Sequence, residues 1–131
     1  MTGLAEAFRA YGAKGNNPRW SWSARTPDGQ VVMTFWKDLI QRDGSHLSYS
    51  IFGRADRLHW KDNPGNSERI ENLKWAKDHC EGLMRVVIVV AEDTNANPRS
   101  ILESYPQKKW LMKLVEFDER TGEFSAVSVP A

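Results

Sequence analysis

The chain reads as an α+β domain built on a curved, mostly antiparallel sheet or partly closed barrel, with two or three short helices. Three observations predict this. Short runs rich in Val, Ile, Thr, Phe and Trp alternate with turn residues at close intervals, giving about five or six strands. Residues 84–91, apolar and largely β-branched but for Arg85, form a run long enough for a central strand covered on both faces. Helical spacing is confined to a few short segments, so helices accompany the sheet rather than build the domain. With 131 residues, the chain suits a single domain, 1–131, with one core.

Taken in order, Leu4, Ala7, Phe8 and Tyr11 lie at helical spacing, and Gly12 and Gly15 end that helix. Residues 17–25 (NPRWSWSAR) then alternate bulky aromatics with small or charged residues. As a strand, this puts Trp20, Trp22 and Ala24 on one face and Arg19, Ser21, Ser23 and Arg25 on the other. Thr26-Pro27-Asp28-Gly29 supplies a turn, and residues 30–37 return as a second strand through Val31, Val32, Thr34, Phe35 and Trp36. A polar stretch with Gly44 follows, then a weakly alternating third strand over 47–52. Residues 62–66 are a break. Asn66 or Ser67 then caps a helix to about Glu81, with Gly82 as its left-handed C-terminal residue. Ile70, Leu73, Lys77 and Cys80 make its expected inner edge. Beyond the central strand, Pro98 is expected to open a short helical turn over 98–105. Residues 110–117, a turn at 118–122 and residues 123–129 form a closing hairpin.

Composition excludes several classes. A hydrophobic fraction of 40% and a charged fraction of 27% describe a globular chain rather than a disordered one. No apolar run approaches the ~20 residues of a membrane helix, and no cationic start followed by an apolar block marks a secretory leader. The single cysteine, Cys80, excludes an intrachain disulfide, so cytoplasmic residence without membrane partners is expected. Net charge is only +1, yet residues 1–65 hold 9 Lys/Arg against 6 Asp/Glu while residues 66–131 hold 9 against 11. Arg9, Lys14, Arg19 and Arg25 against Glu6 alone make a basic patch beside the first hairpin.

Six tryptophans need an explanation. Core burial accounts for Trp20, Trp22, Trp36, Trp75 or Trp110, all with apolar neighbours. Alternatively Trp20, Trp22, Trp36 and Trp60, all in the basic half, line a pocket and stack on a base. Arg19 and Arg99 each follow an Asn-Pro pair, where a fixed proline φ aims a guanidinium fork suited to phosphate or base edges. Arg25 shares the polar face of the hairpin with Arg19. Catalytic patterns are missing. His46, His59 and His79 lack metal-ligand spacing, no phosphate-binding loop or nucleophile elbow occurs, and no acid is followed two residues later by lysine. Glu92 and Asp93, closing the apolar strand, are the remaining candidates for a cation. No cofactor or metal is otherwise called for.

The run NNPRWSWSARTPDGQVVMTFWKD, with RVVIVVAEDTNANPRSI and a TGEF hairpin, resembles small bacterial and phage domains that accompany restriction-type nucleases. Their style is similar to the PUA-like group, including its EVE and YTH relatives, which read modified bases in an aromatic-lined pocket on a curved sheet. The resemblance implies a nucleic-acid-reading module. Read from the residues, Arg19, Arg25 and Arg99 would contact DNA or RNA, and Trp20 or Trp22, Trp36 and Trp60 would wall the pocket. Arg9 and Lys14 would add salt-sensitive attraction. Two other readings stay open: an adaptor that docks a protein partner through exposed aromatics and a sheet edge, and a small enzyme using Glu92 or Asp93.

Overall fold

A computed structural model describes residues 4–15, 21–54, 63–96 and 99–130. Within them lie helices α1 (Leu4–Arg9) and α2 (Pro64–His79) and a 3-10 turn (Lys37–Leu39). The strands are β1 (Ser23–Arg25), β2 (Val31–Trp36), β3 (Ile40–Asp43), β4 (His46–Ser50), β5 (Leu83–Ala91), β6 (Ile101–Phe117) and β7 (Phe124–Val129). They form one sheet in the order β1-β2-β5-β6-β7-β4-β3, antiparallel at every step except β2–β5. The α+β class and the mostly antiparallel sheet are as the sequence predicts. The sheet does not close into a barrel; β1 and β3 remain its edges.

It is nonetheless strongly curled. β2 and β4 are four steps apart in the sheet, roughly 19 Å if it were flat. Yet Phe35 of β2 stacks on Tyr49 of β4 with ring centroids 4.2 Å apart, and Phe124 of β7 closes on both. The Tyr49 hydroxyl also accepts the Trp36 N–H, at 3.0 Å. Alternation along β2 and β5 then makes two cores. Val31, Met33, Phe35, Met84, Val86 and Ile88 face the concave side with Leu73 and Ala76 of α2. Val32, Val87 and Val89 face the convex side, where Ala7 and Phe8 of α1 cover them. β5 is thus buried on both faces, which is why its sequence carries no alternation.

Tyr11 repairs a break in this sheet. The β5–β6 register shifts between Arg85 and Val87, and the Tyr11 hydroxyl donates to the carbonyl of Val86 at 2.6 Å. A side chain from the end of α1 takes the place of a strand at the bulge.

Four expectations need correction. The polar stretch after Asp38 contains β3, an edge strand that pairs with β4 and packs Ile40 against the concave core, while its Gln41, Arg42 and Asp43 are exposed. β6 begins at Ile101, so the helical turn expected over 98–105 is strand from that point, because Ile101, Glu103, Ser104 and Tyr105 pair with β5; Pro98 itself lies outside the described residues. α2 starts at Pro64 with the Asn63 side chain accepting the Gly65 N–H, three residues before the expected cap. Its inner face is also largely polar: Asn66, Arg69 and Asn72 are buried with Leu73 and Ala76, while Lys77 is exposed. Gly82 does take a left-handed φ of 80°, as expected, and Glu81 joins it at 56°. Among the described residues no helix is long and apolar enough to cross a membrane.

Candidate functional site

The site grows from the way α1 ends. Gly12, at φ 75°, donates to Arg9 C=O and Ala13 donates to Phe8 C=O, a paired C-terminal cap that needs a residue free to adopt positive φ. The chain then turns back along the edge of β1, where Lys14 N–H meets Arg25 C=O at 3.2 Å. Gly15 comes so close to Ser21 that a Cβ there would lie 2.4 Å from the serine Cβ, so only glycine fits. Between α1 and this return lies a cavity of about 630 Å³. Ala5, Phe8, Ala13 and the buried Ser21 contribute to its lining, and so do the exposed cations Arg9 and Lys14. An apolar floor with a cationic rim can accept a flat ligand carrying negative charge.

The hairpin behind it differs from a simple two-faced ribbon. β1 is only three residues long, and Ala24 packs into the convex core under α1. Ser23, expected on a polar face, is fully buried, and its hydroxyl accepts Asn72 Nδ2–H of α2 at 2.7 Å. Trp22 precedes β1, half-buried, with the Arg69 guanidinium 5.0 Å from its ring centroid. Arg69 also donates to Asn66 Oδ1 at 2.8 Å, and Asn66 Nδ2–H reaches Thr121 C=O at 2.9 Å. The polar inner face of α2 thereby ties the hairpin to the β6–β7 turn.

The expected contact residues scatter. Trp36, half-buried at the end of β2, is covered by Arg99 at 5.0 Å. Among the described ring contacts none joins Trp22 with Trp36, and each indole instead has an arginine of the protein over it. Arg99 is committed to the protein itself: its fork meets both Asp38 oxygens at 2.7 Å and Thr94 C=O at 2.9 Å, with its side chain 4% exposed. That charge-assisted bond holds the Asp38 carboxyl below the usual carboxylate range. Arg25 is exposed and lies 4.5 Å over the Trp75 ring. Arg19, Trp20 and Trp60 lie outside the described residues, as does His59.

Other reactive groups are quiet. The Cys80 thiol donates to Gly29 C=O, and burial raises its pKa. Burial pushes the Tyr49 phenol up to about 12. Glu92 and Asp93 are exposed, and among the described residues no three His, Cys, Asp or Glu side chains gather as a metal site would require. Phe8 and Trp75 are the residues that sequence reasoning assigned only to packing; the glycine spacing at 12 and 15, beside a cationic pair, was the available signal for the cavity. Comparison with protein-family models, with curated proteins and with solved structures gives no match.

Proposed function

We propose that this chain is a cytoplasmic nucleic-acid-binding module that receives a base in the cavity between α1 and the first hairpin and does not cleave its ligand. The observation that carries this reading is the cavity: about 630 Å³, floored by Phe8 and Ser21 and rimmed by Arg9 and Lys14. That volume lies within the range of small-ligand pockets and is ample for one nucleotide. Phe8 and Ala13 make the lining apolar, and the two cations supply the sequence-independent attraction to phosphate. The reading agrees with the PUA-like resemblance of the surrounding run. Charge reversal at the rim tests it: Arg9→Glu and Lys14→Glu together should weaken single-stranded DNA or RNA at least tenfold in fluorescence anisotropy while the melting temperature holds, since both side chains are exposed. Unchanged affinity in the double variant would refute the assignment.

A second reading has its own observation. Phe52 is 39% exposed beside Phe117 in an open groove of about 660 Å³ carrying charges of both signs, suited to docking a protein. A complex that survives nuclease treatment and is lost in Phe52→Ser would favour it.

A further inference from the structure

Arg25 differs from Arg69 and Arg99, which also lie over aromatic rings but spend donors on Asn66 and on Asp38. The Trp75 indole beneath it is fixed, donating through Nε1–H to Gly29 C=O at 2.8 Å and packing against His79 at 4.0 Å. Arg25 lies 4.5 Å above that ring, yet among the described residues it forms no ion pair and its side chain makes no hydrogen bond. Asp28, the acid of the adjoining turn, is engaged with the Thr26 hydroxyl. The result is an exposed guanidinium plane, pre-oriented by an indole, with its donors uncommitted. Lys14 stands directly across from Arg25 in the antiparallel bridge and also lines the cavity. Residues opposite each other in such a pair project to the same face, so two cations stand side by side at the sheet edge, and one of them belongs to the cavity lining.

We propose that Arg25, held on Trp75 with Lys14 beside it, binds a backbone phosphate of a single-stranded nucleic acid whose neighbouring base enters the cavity. This rests on the base-receiving reading above. It adds a distinct anion point, and with it a ligand class: a strand extending past the read nucleotide rather than a free base. Lys14 is the link, since it borders both places.

The test uses the whole chain with two probes, a fluorescein-labelled oligo-dT and inorganic tripolyphosphate. Removing one phosphate contact from a single strand should flatten the slope of log K against log salt by about 0.7 and weaken binding roughly five- to tenfold at 0.1 M salt. Arg25→Ala should do this without altering the melting profile appreciably. Arg25→Lys, which keeps the charge but loses the plane and the fork, should recover only part of the affinity. In the wild-type protein the Arg25 Nε–Hε resonance should move on adding tripolyphosphate, and further than that of Arg120, an exposed arginine at the β6–β7 turn. If oligo-dT binds wild type and Arg25→Ala equally, the phosphate point is overturned and base entry into the cavity stands. If oligo-dT does not bind wild type at all, the base-receiving reading fails. An Arg25 resonance that ignores tripolyphosphate, or moves no more than Arg120, then overturns the anion point as well.

Discussion

Two arginines lie over two tryptophans at nearly the same distance, Arg99 over Trp36 at 5.0 Å and Arg25 over Trp75 at 4.5 Å, and they do different work. Arg99 also binds Asp38 with both prongs and caps Thr94, so it ties the loop after β5 to the turn after β2. Arg25 has the indole contact without the carboxylate. The lesson is that a cation over a ring does not by itself mark a binding site. What decides is where the remaining N–H donors go: into the protein, where they hold two loops together, or outward, where a ligand can meet them.

The largest effect should come from the strand that supports both regions. Ile88→Asp places an unpaired carboxylate in the concave core and should cost several kcal/mol, enough to abolish cooperative unfolding at ambient temperature. A soluble variant with a sharp thermal transition would show that β5 is not the buried centre of the sheet. Arg99→Ala comes next, with a loss of about 2–3 kcal/mol from the charge-assisted pair in a side chain that is almost wholly covered. Urea titration checks it, and a loss as small as that of Arg25→Ala would erase the distinction between the two arginines. Tyr49→Phe removes the acceptor for the Trp36 N–H and should cost about 1–2 kcal/mol by the same assay. Arg25→Ala should cost no more than about 0.5–1 kcal/mol, the range for an exposed cation–π contact.

The smallest effect is a pH dependence. Because Arg99 lowers the Asp38 pKa in the folded chain, the pair's contribution is fully present above the unfolded carboxylate value of about 3.9 and is lost as pH falls through the lower, folded value. Asp38→Asn should therefore be less stable than wild type at neutral pH and lose less on acidification. Parallel acid limbs for the two proteins would separate Asp38 from the Arg99 clamp.

Much of this architecture was legible because it is written locally. The β-branched run at 84–91 announces a strand with two covered faces, Thr26–Gly29 announces the turn, and Gly12 announces the end of α1. What was hidden depends on distant partners. β3 is polar beyond Ile40 because an edge strand is held largely by backbone pairing to its one neighbour. The sequence ahead of β6 carries a helix-like Asn-Pro signal, but from Ile101 onward pairing with β5 decides the structure. The inner face of α2 is polar because Ser23 and Thr121 await it, 49 and 55 residues away from Asn72 and Asn66. The same reasoning applies to the site. The aromatic and basic character of the first hairpin was readable, but not that Asp38, 61 residues from Arg99, would engage one of the expected ligand-binding arginines while leaving Arg25 clear of ion pairs.

The central claim is that nucleic acid enters between α1 and the first hairpin. The most direct measurement is an amide chemical-shift map of the ¹⁵N-labelled chain titrated with a short single-stranded oligonucleotide. The account predicts that the largest shifts fall on Phe8, Gly12, Lys14, Gly15 and Ser21 and extend to Arg25, with the Arg99–Asp38 region unmoved. Shifts centred on Phe52 and Phe117, or none at saturating oligonucleotide, would contradict it.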